Sequence, residues 1–412
     1  VFGWVLGIRD LGGIMFITLG DREGSIQITL PKKTVNPKLL KKTEQIGKQS
    51  VIAVRGKVKK SERAQQGVEI IPEEIKILNF AQHPLALDPT GRVPADIDVR
   101  LNARILDLRR PESRSIFKIN HIATKAIREY LTEQGFIEIH TPKIISSATE
   151  GGAALFPIIY FDREAFLAQS PQLYKEQVTT AFEKVFEIAP YFRAEESHTT
   201  RHISEFMSVD IEQAFVTAED VMKLLEDMIV SIMKTVKDVC KKELEILKYK
   251  IKIPSTPFKR YTYDQILKEL EEQNITIRWG EDIPTPAFRT IGESHPQEFY
   301  FITDWPTKSK TFYIKPRDDK PEISEAFDLM YSWIELASGG TRIHEKEQLI
   351  KRIKEQGLNP ENFEYHLKTF EWGMPPHAGW GLGLARLLMV LTGRENVREC
   401  VLFPRDRFRL TP

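Results

Sequence analysis

The chain has 412 residues, 41% hydrophobic and 28% charged, with a formal net charge of +1; this is material for two or more domains around a large core, not for a disordered or fibrous chain. Near-neutral charge neither demands nor forbids a polyanion partner, which needs positive charge gathered locally. Two cysteines, no H-x-x-H or H-E-x-x-H spacing and no long apolar run argue against a disulfide framework, a zinc site and a membrane span, so a protein of the cytoplasm is expected.

The first residues, Val1-Phe2-Gly3-Trp4, already carry a strand-like pattern, and a further segment upstream of them is expected. Residues 1–80 alternate apolar and polar over Val1–Ile8, Ile14–Leu19, Ser25–Leu30, Val51–Val58 and Val68–Leu78, with turn-forming residues between. Five such strands with one helical stretch, Pro37–Ile46, predict an OB-fold barrel, a common reader of single-stranded nucleic acid. Residues 81–104, punctuated by Pro84, Pro89 and Pro94, read as a hinge. Residues 105–412 read as one larger α+β domain. Ile116–Gln134 has helical periodicity, Gly135 stops it, and Phe136–Ile139 follows as a strand ending at Pro142. Thr217-Ala218-Glu219-Asp220 caps a long amphipathic helix bearing Val221, Leu224, Leu225, Met228, Ile232 and Val236, read as core scaffold and not as a partner-binding stripe.

Two arginine-bearing segments carry the chemistry. The runs Val185–Ile188 and Val209–Ile211 flank Arg193-Ala194-Glu195-Glu196-Ser197-His198-Thr199-Thr200-Arg201-His202, which predicts an antiparallel hairpin with a loop dressed for an anion. Gly379-Trp380-Gly381-Leu382-Gly383-Leu384-Ala385-Arg386 predicts a glycine-spaced strand passing into the helical run Ala385–Leu391. Glycines let a planar ligand lie against the backbone, and a guanidinium beside it can fork onto phosphate oxygens. A G-x-G-x-G pattern alone is weak, since small residues also permit close strand–helix packing. Both segments together, in this order, resemble motifs two and three of the class II aminoacyl-tRNA synthetases, which hold ATP in a bent shape on an antiparallel sheet. About 217–300 then reads as an insertion between those motifs.

The resemblance runs over essentially the whole chain and points to the aspartyl enzymes of the archaeal and eukaryotic type. Gly135 to Pro142 looks like motif one, which implies a homodimer interface. Glu150-Gly151-Gly152 resembles a mobile loop whose glutamate faces the substrate ammonium. Gln169-Ser170-Pro171-Gln172-Leu173-Tyr174-Lys175 resembles the segment in which Gln172 and Lys175 bind the amino acid, with Asp210 positioning that lysine. Arg342 resembles the arginine that pairs with the substrate β-carboxylate, and Tyr313 a residue lining that pocket. Two cations around one anion would penalise the amide analogue.

For ATP, the resemblance implies Arg193 at the α-phosphate, Glu195 and His202 at the base, and Arg201 and Arg386 at the γ-phosphate, with Ala194, Ile203, Gly383, Leu384 and Ala385 along the nucleotide. Arg193, Arg386 and Glu335 are the catalytic candidates. Asp328, Glu335 and Ser338 look like the ligands of Mg²⁺, which prefers hard oxygen donors and brings ATP phosphates with it. Ala385 departs from the glutamate often found before the motif-three arginine. In the barrel, Arg9, Phe16, Gln27 and Glu69 align with anticodon readers of tRNA(Asp), with tRNA(Asn) left open as a second substrate; Phe16 reads equally as a core residue among Ile14, Met15 and Ile17.

Three other readings stand beside this one. An asparaginyl or lysyl ligase conflicts with the Lys175 segment, Asp210 and Arg342. An asparagine synthetase built on the same catalytic domain would lack the barrel. A catalytically inactive tRNA- or RNA-binding paralogue predicts loss of Arg193, Glu335 or Arg386, and all three are present.

Overall fold

In residues 1–80 the alternation closes on itself. Strands β1 (Phe2–Asp10), β2 (Ile14–Gly20), β3 (Ser25–Pro31), β4 (Val51–Lys60) and β5 (Val68–Asn79) form a closed barrel in the order β1-β2-β3-β5-β4. Successive side chains point to opposite faces of a strand, so Val5, Met15, Ile17, Leu19, Ile28, Leu30, Ile52, Val54, Ile70 and Ile75 fill the interior. Helix α1 (Pro37–Thr43) joins β3 to β4; Asn36 caps it, accepting from Lys38 N at 2.9 Å, and Pro37 sits where no hydrogen bond is lost.

The computed structural model describes residues 1–64, 66–146, 155–194, 200 and 202–412, and the chain divides into two compact units, Val1–Asp107 and Leu108–Pro412. The stretch read as a hinge ends in helix: α2 (Ile97–Asn102) is followed by α3 (Arg104–Asp107), and buried Asp107 accepts from Arg100 Nε at 2.8 Å and Arg104 Nη1 at 2.6 Å.

In the second unit α4 (Pro111–Glu133) leads to a short edge strand, β6 (Ile137–Glu138), and then to a separate small sheet of β7 (Ile144–Ile145), β8 (Pro157–Tyr160) and β9 (Arg163–Leu167). Helix α5 (Gln172–Phe182) precedes the hairpin β10 (Lys184–Phe192) and β11 (Glu205–Ala214). Next come α6 (Ala218–Val239), α7 (Lys241–Leu247), β12 (Lys259–Thr262), α8 (Tyr263–Glu272), α9 (Thr285–Ser294) and β13 (Phe299–Thr303). The chain continues through β14 (Ala326–Tyr331), β15 (Ile334–Thr341), α10 (Lys346–Glu355), α11 (Glu364–Glu371), β16 (His377–Gly383) and α12 (Leu384–Thr392).

Eight strands make one sheet, β12-β13-β14-β15-β16-β11-β10-β6, antiparallel except for the outer pairs β12–β13 and β6–β10. Residues 217–300, read as an insertion between motifs two and three, hold α6, α7, β12, α8 and α9. They supply β12 and the first residues of β13 to the sheet, and α6 buries Val221, Leu225, Met228, Ile229, Ile232 and Val236 in its core. Burying such side chains is worth about 1.5–3 kcal/mol each.

The sheet has two unlike faces. On one, Val209, Ile211, Ala337, Trp380 and Leu382 join apolar residues of α4, α6 and α12, and the Trp380 indole donates to Val221 O at 3.1 Å. On the other, the alternate positions of the same strands carry Glu187, Ser208, Asp210, Glu212, Ser338 and glycines. The cleft lies on this polar face.

Candidate active site

The register explains the glycines of β16. Strand β11 pairs Ser208 with Gly383, Asp210 with Gly381 and Glu212 with Gly379, and β15 pairs Ser338 with Gly381 on the far side. A Cβ on Gly379 would collide with Glu212 Oε2 and Ile211 O, and one on Gly381 would stand 2.9 Å from Asp210 Oδ1. At Gly383 the nearest atom would be Arg386 Cδ, an ordinary 3.6 Å away. Two of the three glycines thus make room for carboxylates of the neighbouring strand; only Gly383 has room for a methyl group.

Those carboxylates hold two buried cations. In α5 the residues Gln172, Lys175, Glu176 and Thr179 recur at helical spacing and turn one polar face onto the sheet. Lys175, 2% exposed, places Nζ 3.0 Å from Asp210 Oδ1 and 3.4 Å from Glu212 Oε2, and donates to Trp380 O at 3.3 Å. Ser208 Oγ donates to the other Asp210 oxygen at 2.5 Å. Arg342 forks onto Glu212 at 3.0 and 3.3 Å, reaches Gln172 Oε1 at 3.4 Å, and lies 5.4 Å from the Tyr313 ring. Glu212 thus occupies the fork of Arg342. Lys175 meets Asp210 as expected, and Glu212 adds a carboxylate for Arg342 that makes the cluster balanced, because unpaired charge is too costly to bury.

Gln172, Asp210, Tyr313 and Arg342 line a cleft of about 300 Å³ that also takes in Arg193, His202, Ile203, Glu335, Ser338, Gly383, Ala385 and Arg386. Arg193 lies at the mouth of the β10–β11 hairpin, bonded through its N–H to Ser204 O at 2.9 Å and stacked 5.3 Å from Phe206. Arg386, in the first turn of α12, donates to Glu335 O at 2.9 Å. Asp328 faces Ser338 across the ladder and accepts from Lys310 Nζ at 2.7 Å. Ala194 follows the hairpin strand, while the Leu384 side chain belongs to the core behind the sheet. Glu150, Glu195 and Arg201 lie outside the described residues.

On the barrel, Arg9 pairs with Phe16 and Phe16 with Thr29, so these side chains share a face with Gln27 and Glu69, the two paired from β3 to β5. Phe16 is part-exposed while Met15 and Ile17 are buried, which places its ring outside the core. Glu69 accepts from Thr29 Oγ1 at 2.7 Å and Gln27 Nε2 at 3.1 Å.

Residues 96–407 match the family of class II tRNA synthetases for D, K and N, and residues 1–78 match the OB-fold nucleic acid binding domain. The chain is a class II tRNA synthetase. The synthetase is 53% identical to the aspartate–tRNA(Asp/Asn) ligase of Methanopyrus kandleri, covering 100% of this chain and 95% of that one. It is 50% identical to the aspartate–tRNA(Asp) ligase of Pyrococcus furiosus, with the same coverage of 100% and 95%. Its structure is similar to that of asparaginyl-tRNA synthetase from Pyrococcus horikoshii complexed with asparaginyl-adenylate, at TM-score 0.94 and 30% identity over 100% and 95% of the two chains.

Several residues of the synthetase's site escape a reading of the sequence. Glu212 and Glu176 are both fully buried, with His366 and His377 packed beside Glu176. Lys310 neutralises Asp328. Glu187 fastens the chain after β6 to β10, accepting from Thr141 N at 2.7 Å, Lys143 Nζ at 2.8 Å and Tyr191 Oη at 2.5 Å. The one available signal is Asp210-Ile211-Glu212, acids at period two in an otherwise apolar strand opposite glycines at period two.

Proposed function

We propose that the synthetase activates L-aspartate with ATP and passes it to the 3'-terminal adenosine of tRNA(Asp). In the first step an α-carboxylate oxygen of aspartate attacks the α-phosphorus of ATP. The bond to the bridging oxygen breaks, and pyrophosphate leaves with that electron pair. The nucleophile is already ionised near neutral pH, so no general base is needed; the site positions reactants and stabilises developing charge, with Arg193 assigned to the α-phosphate and Arg386 to the tail. A ribose hydroxyl then displaces AMP from aspartyl-adenylate. The observation that carries this reading is the buried Lys175–Asp210 and Arg342–Glu212 pairing, whose Asp210 and Arg342 line the cleft. Arg342, on the cleft wall, can donate to a carboxylate oxygen of the substrate, with Lys175 adding positive charge behind it, whereas an amide offers one acceptor and a donor that neither cation can use. Aspartate is also the substrate in the names of the relatives about half identical to this chain.

Mg²⁺ is proposed to bind with ATP, held by Asp328, Glu335 and Ser338. The donors fit: Asp328 Oδ1 is buried with no hydrogen-bond partner among the described residues. Burial pushes its carboxyl up, Lys310 pulls against that, and neighbouring Glu335 adds to the rise, a repulsion that a divalent cation relieves. The described residues bring no group of three or more acidic, His or Cys side chains that could hold a metal alone, so ATP phosphates would complete the shell. When bound, Mg²⁺ neutralises phosphate charge.

The barrel face around Phe16 is proposed to read the anticodon, tRNA(Asn) to be a second acceptor, and the exposed Ile137 on edge strand β6 to belong to a homodimer interface. No helix among the described residues is long and apolar enough to cross a membrane; the cytoplasm is the proposed place of work.

Aspartate-dependent ATP–pyrophosphate exchange with Mg²⁺, run beside asparagine and lysine, tests the reading, followed by charging of both tRNAs. Exchange with aspartate alone is expected. Exchange with asparagine or lysine instead would overturn the substrate, and none with any of the three would leave an inactive tRNA-binding paralogue.

A further inference from the structure

A buried cluster of ionisable groups lies behind the amino-acid end of the cleft, and the chemistry above does not use it. Two imidazoles converge on Glu176 Oε2: His366 Nε2 at 3.4 Å, from α11, and His377 Nε2 at 3.5 Å, from β16. All three side chains are at most 2% exposed.

The opposite ring nitrogens fix the protons. A carbonyl oxygen only accepts, so His377 Nδ1, 2.8 Å from Pro375 O, carries a hydrogen. Without a second proton, His377 would aim a bare lone pair at a carboxylate in a buried site. A proton there would instead set opposite charges 3.5 Å apart, at ion-pair and not hydrogen-bond distance. Burial alone would push His377 down; the Glu176 carboxylate, with Glu212 behind it, outweighs that and lifts it above its usual 6.5. Burial raises Glu176, and the two histidines more than reverse this, holding it below the usual carboxylate range. Gln177 Nε2 lies 3.3 Å from His366 Nδ1, which holds that ring with Nε2 toward Glu176.

Glu176 reaches the cleft through its other oxygen. Oε1 accepts from Gln172 Nε2 at 2.6 Å, and Gln172 Oε1 accepts from Arg342 at 3.4 Å. An ionised carboxylate takes only the donor end of the amide, so it turns the Gln172 carbonyl toward Arg342. The charged and titratable groups facing His377 are Glu176 and Lys175 on α5, Glu212 on β11, Arg342 and His344 after β15, and His366 on α11.

We propose that Glu176 and His377 form a proton-dependent positioning pair for the amino-acid pocket: protonated His377 keeps Glu176 ionised and Gln172 and Arg342 aligned, and loss of that proton weakens the hold on a carboxylate side chain while sparing the nucleotide end. The inference rests on the aspartate reading above. The sign follows from charge. Deprotonation adds one net negative charge behind a site that binds an anion, so affinity is full below the His377 ionisation and falls as pH rises through it. Free aspartate keeps its side-chain charge across this range, its own ionisation lying near pH 4.

Exchange kinetics between about pH 6 and 8.5 for the wild type, Glu176→Gln and His377→Asn test the pair. In the wild type KM for aspartate rises about tenfold across that range while KM for ATP stays level. Glu176→Gln shifts the rise to lower pH, and His377→Asn, which cannot titrate, flattens it. Parallel aspartate profiles in all three proteins, or equal movement of both KM values, would overturn the pair. A second measurement needs only the wild type: calorimetry of aspartate binding in buffers of different ionisation enthalpy near pH 8. Proton uptake on binding is expected, and binding without it overturns the proposal even where the variants do not fold. No exchange and no binding with aspartate would strike the aspartate reading itself and this proposal with it, an outcome distinct from normal exchange without proton linkage.

Discussion

Lys175 and Arg342 are buried cations, and each meets a carboxylate that the fold supplies from β11. Which effect dominates on mutation follows from magnitudes. Removing one partner of a buried pair strands the other and costs about 3–5 kcal/mol, whereas replacing both with apolar groups is often neutral. Arg342→Leu should therefore destabilise the synthetase by about 3–5 kcal/mol in urea denaturation, and Arg342→Leu with Glu212→Leu should recover most of that. Neither variant should exchange pyrophosphate with aspartate. Recovery of activity together with stability in the double variant would show that Arg342 serves packing alone.

Within an element, β16 shows how one sequence pattern can hold two physical reasons. Gly379 is excluded from bearing a side chain by Glu212 and the β11 backbone, while Gly383 has room for a methyl group beside Arg386. Gly379→Ala should cost about 1–3 kcal/mol of stability through overpacking, and should raise KM for aspartate by displacing Glu212. Gly383→Ala should leave the melting temperature nearly unchanged and raise KM for ATP. Equal destabilisation by both would refute the assignment of the first to the fold and the second to the ligand. Helix α5 makes a related point. Its buried stripe is polar, so the hydrophobic periodicity that exposes α6 in the sequence is silent about which side of α5 faces inward.

Across the whole molecule the two units divide the labour in a way that kinetics can separate. Phe16 stands outside the barrel core, in a row with Arg9, Thr29, Gln27 and Glu69. Stacking of a base on an aromatic ring is worth about 1–3 kcal/mol. Phe16→Ala should thus weaken tRNA charging roughly tenfold to a hundredfold through KM for tRNA, and leave aspartate-dependent exchange at its wild-type rate. A parallel loss of exchange would mean that the substitution unfolds the barrel or disturbs the second unit.

The barrel strands, the β10–β11 hairpin and α6 were legible in the sequence because their information is local: apolar residues recur at the period of the element, and turn and capping residues close it. The family, and with it the candidates Lys175, Asp210, Arg193, Arg342 and Arg386, was legible for the same reason, as short runs of adjacent residues. What tertiary structure alone decided is pairing at a distance. Glu212 meets Arg342 from 130 residues away, and Glu176 collects one imidazole from α11 and another from β16. Read singly, each of these side chains defaults to the solvent, since a lone charge does not stay buried. Only the register of β11 against β16, and the turn of α5 onto the sheet, brings the opposite charges within reach and makes their burial possible.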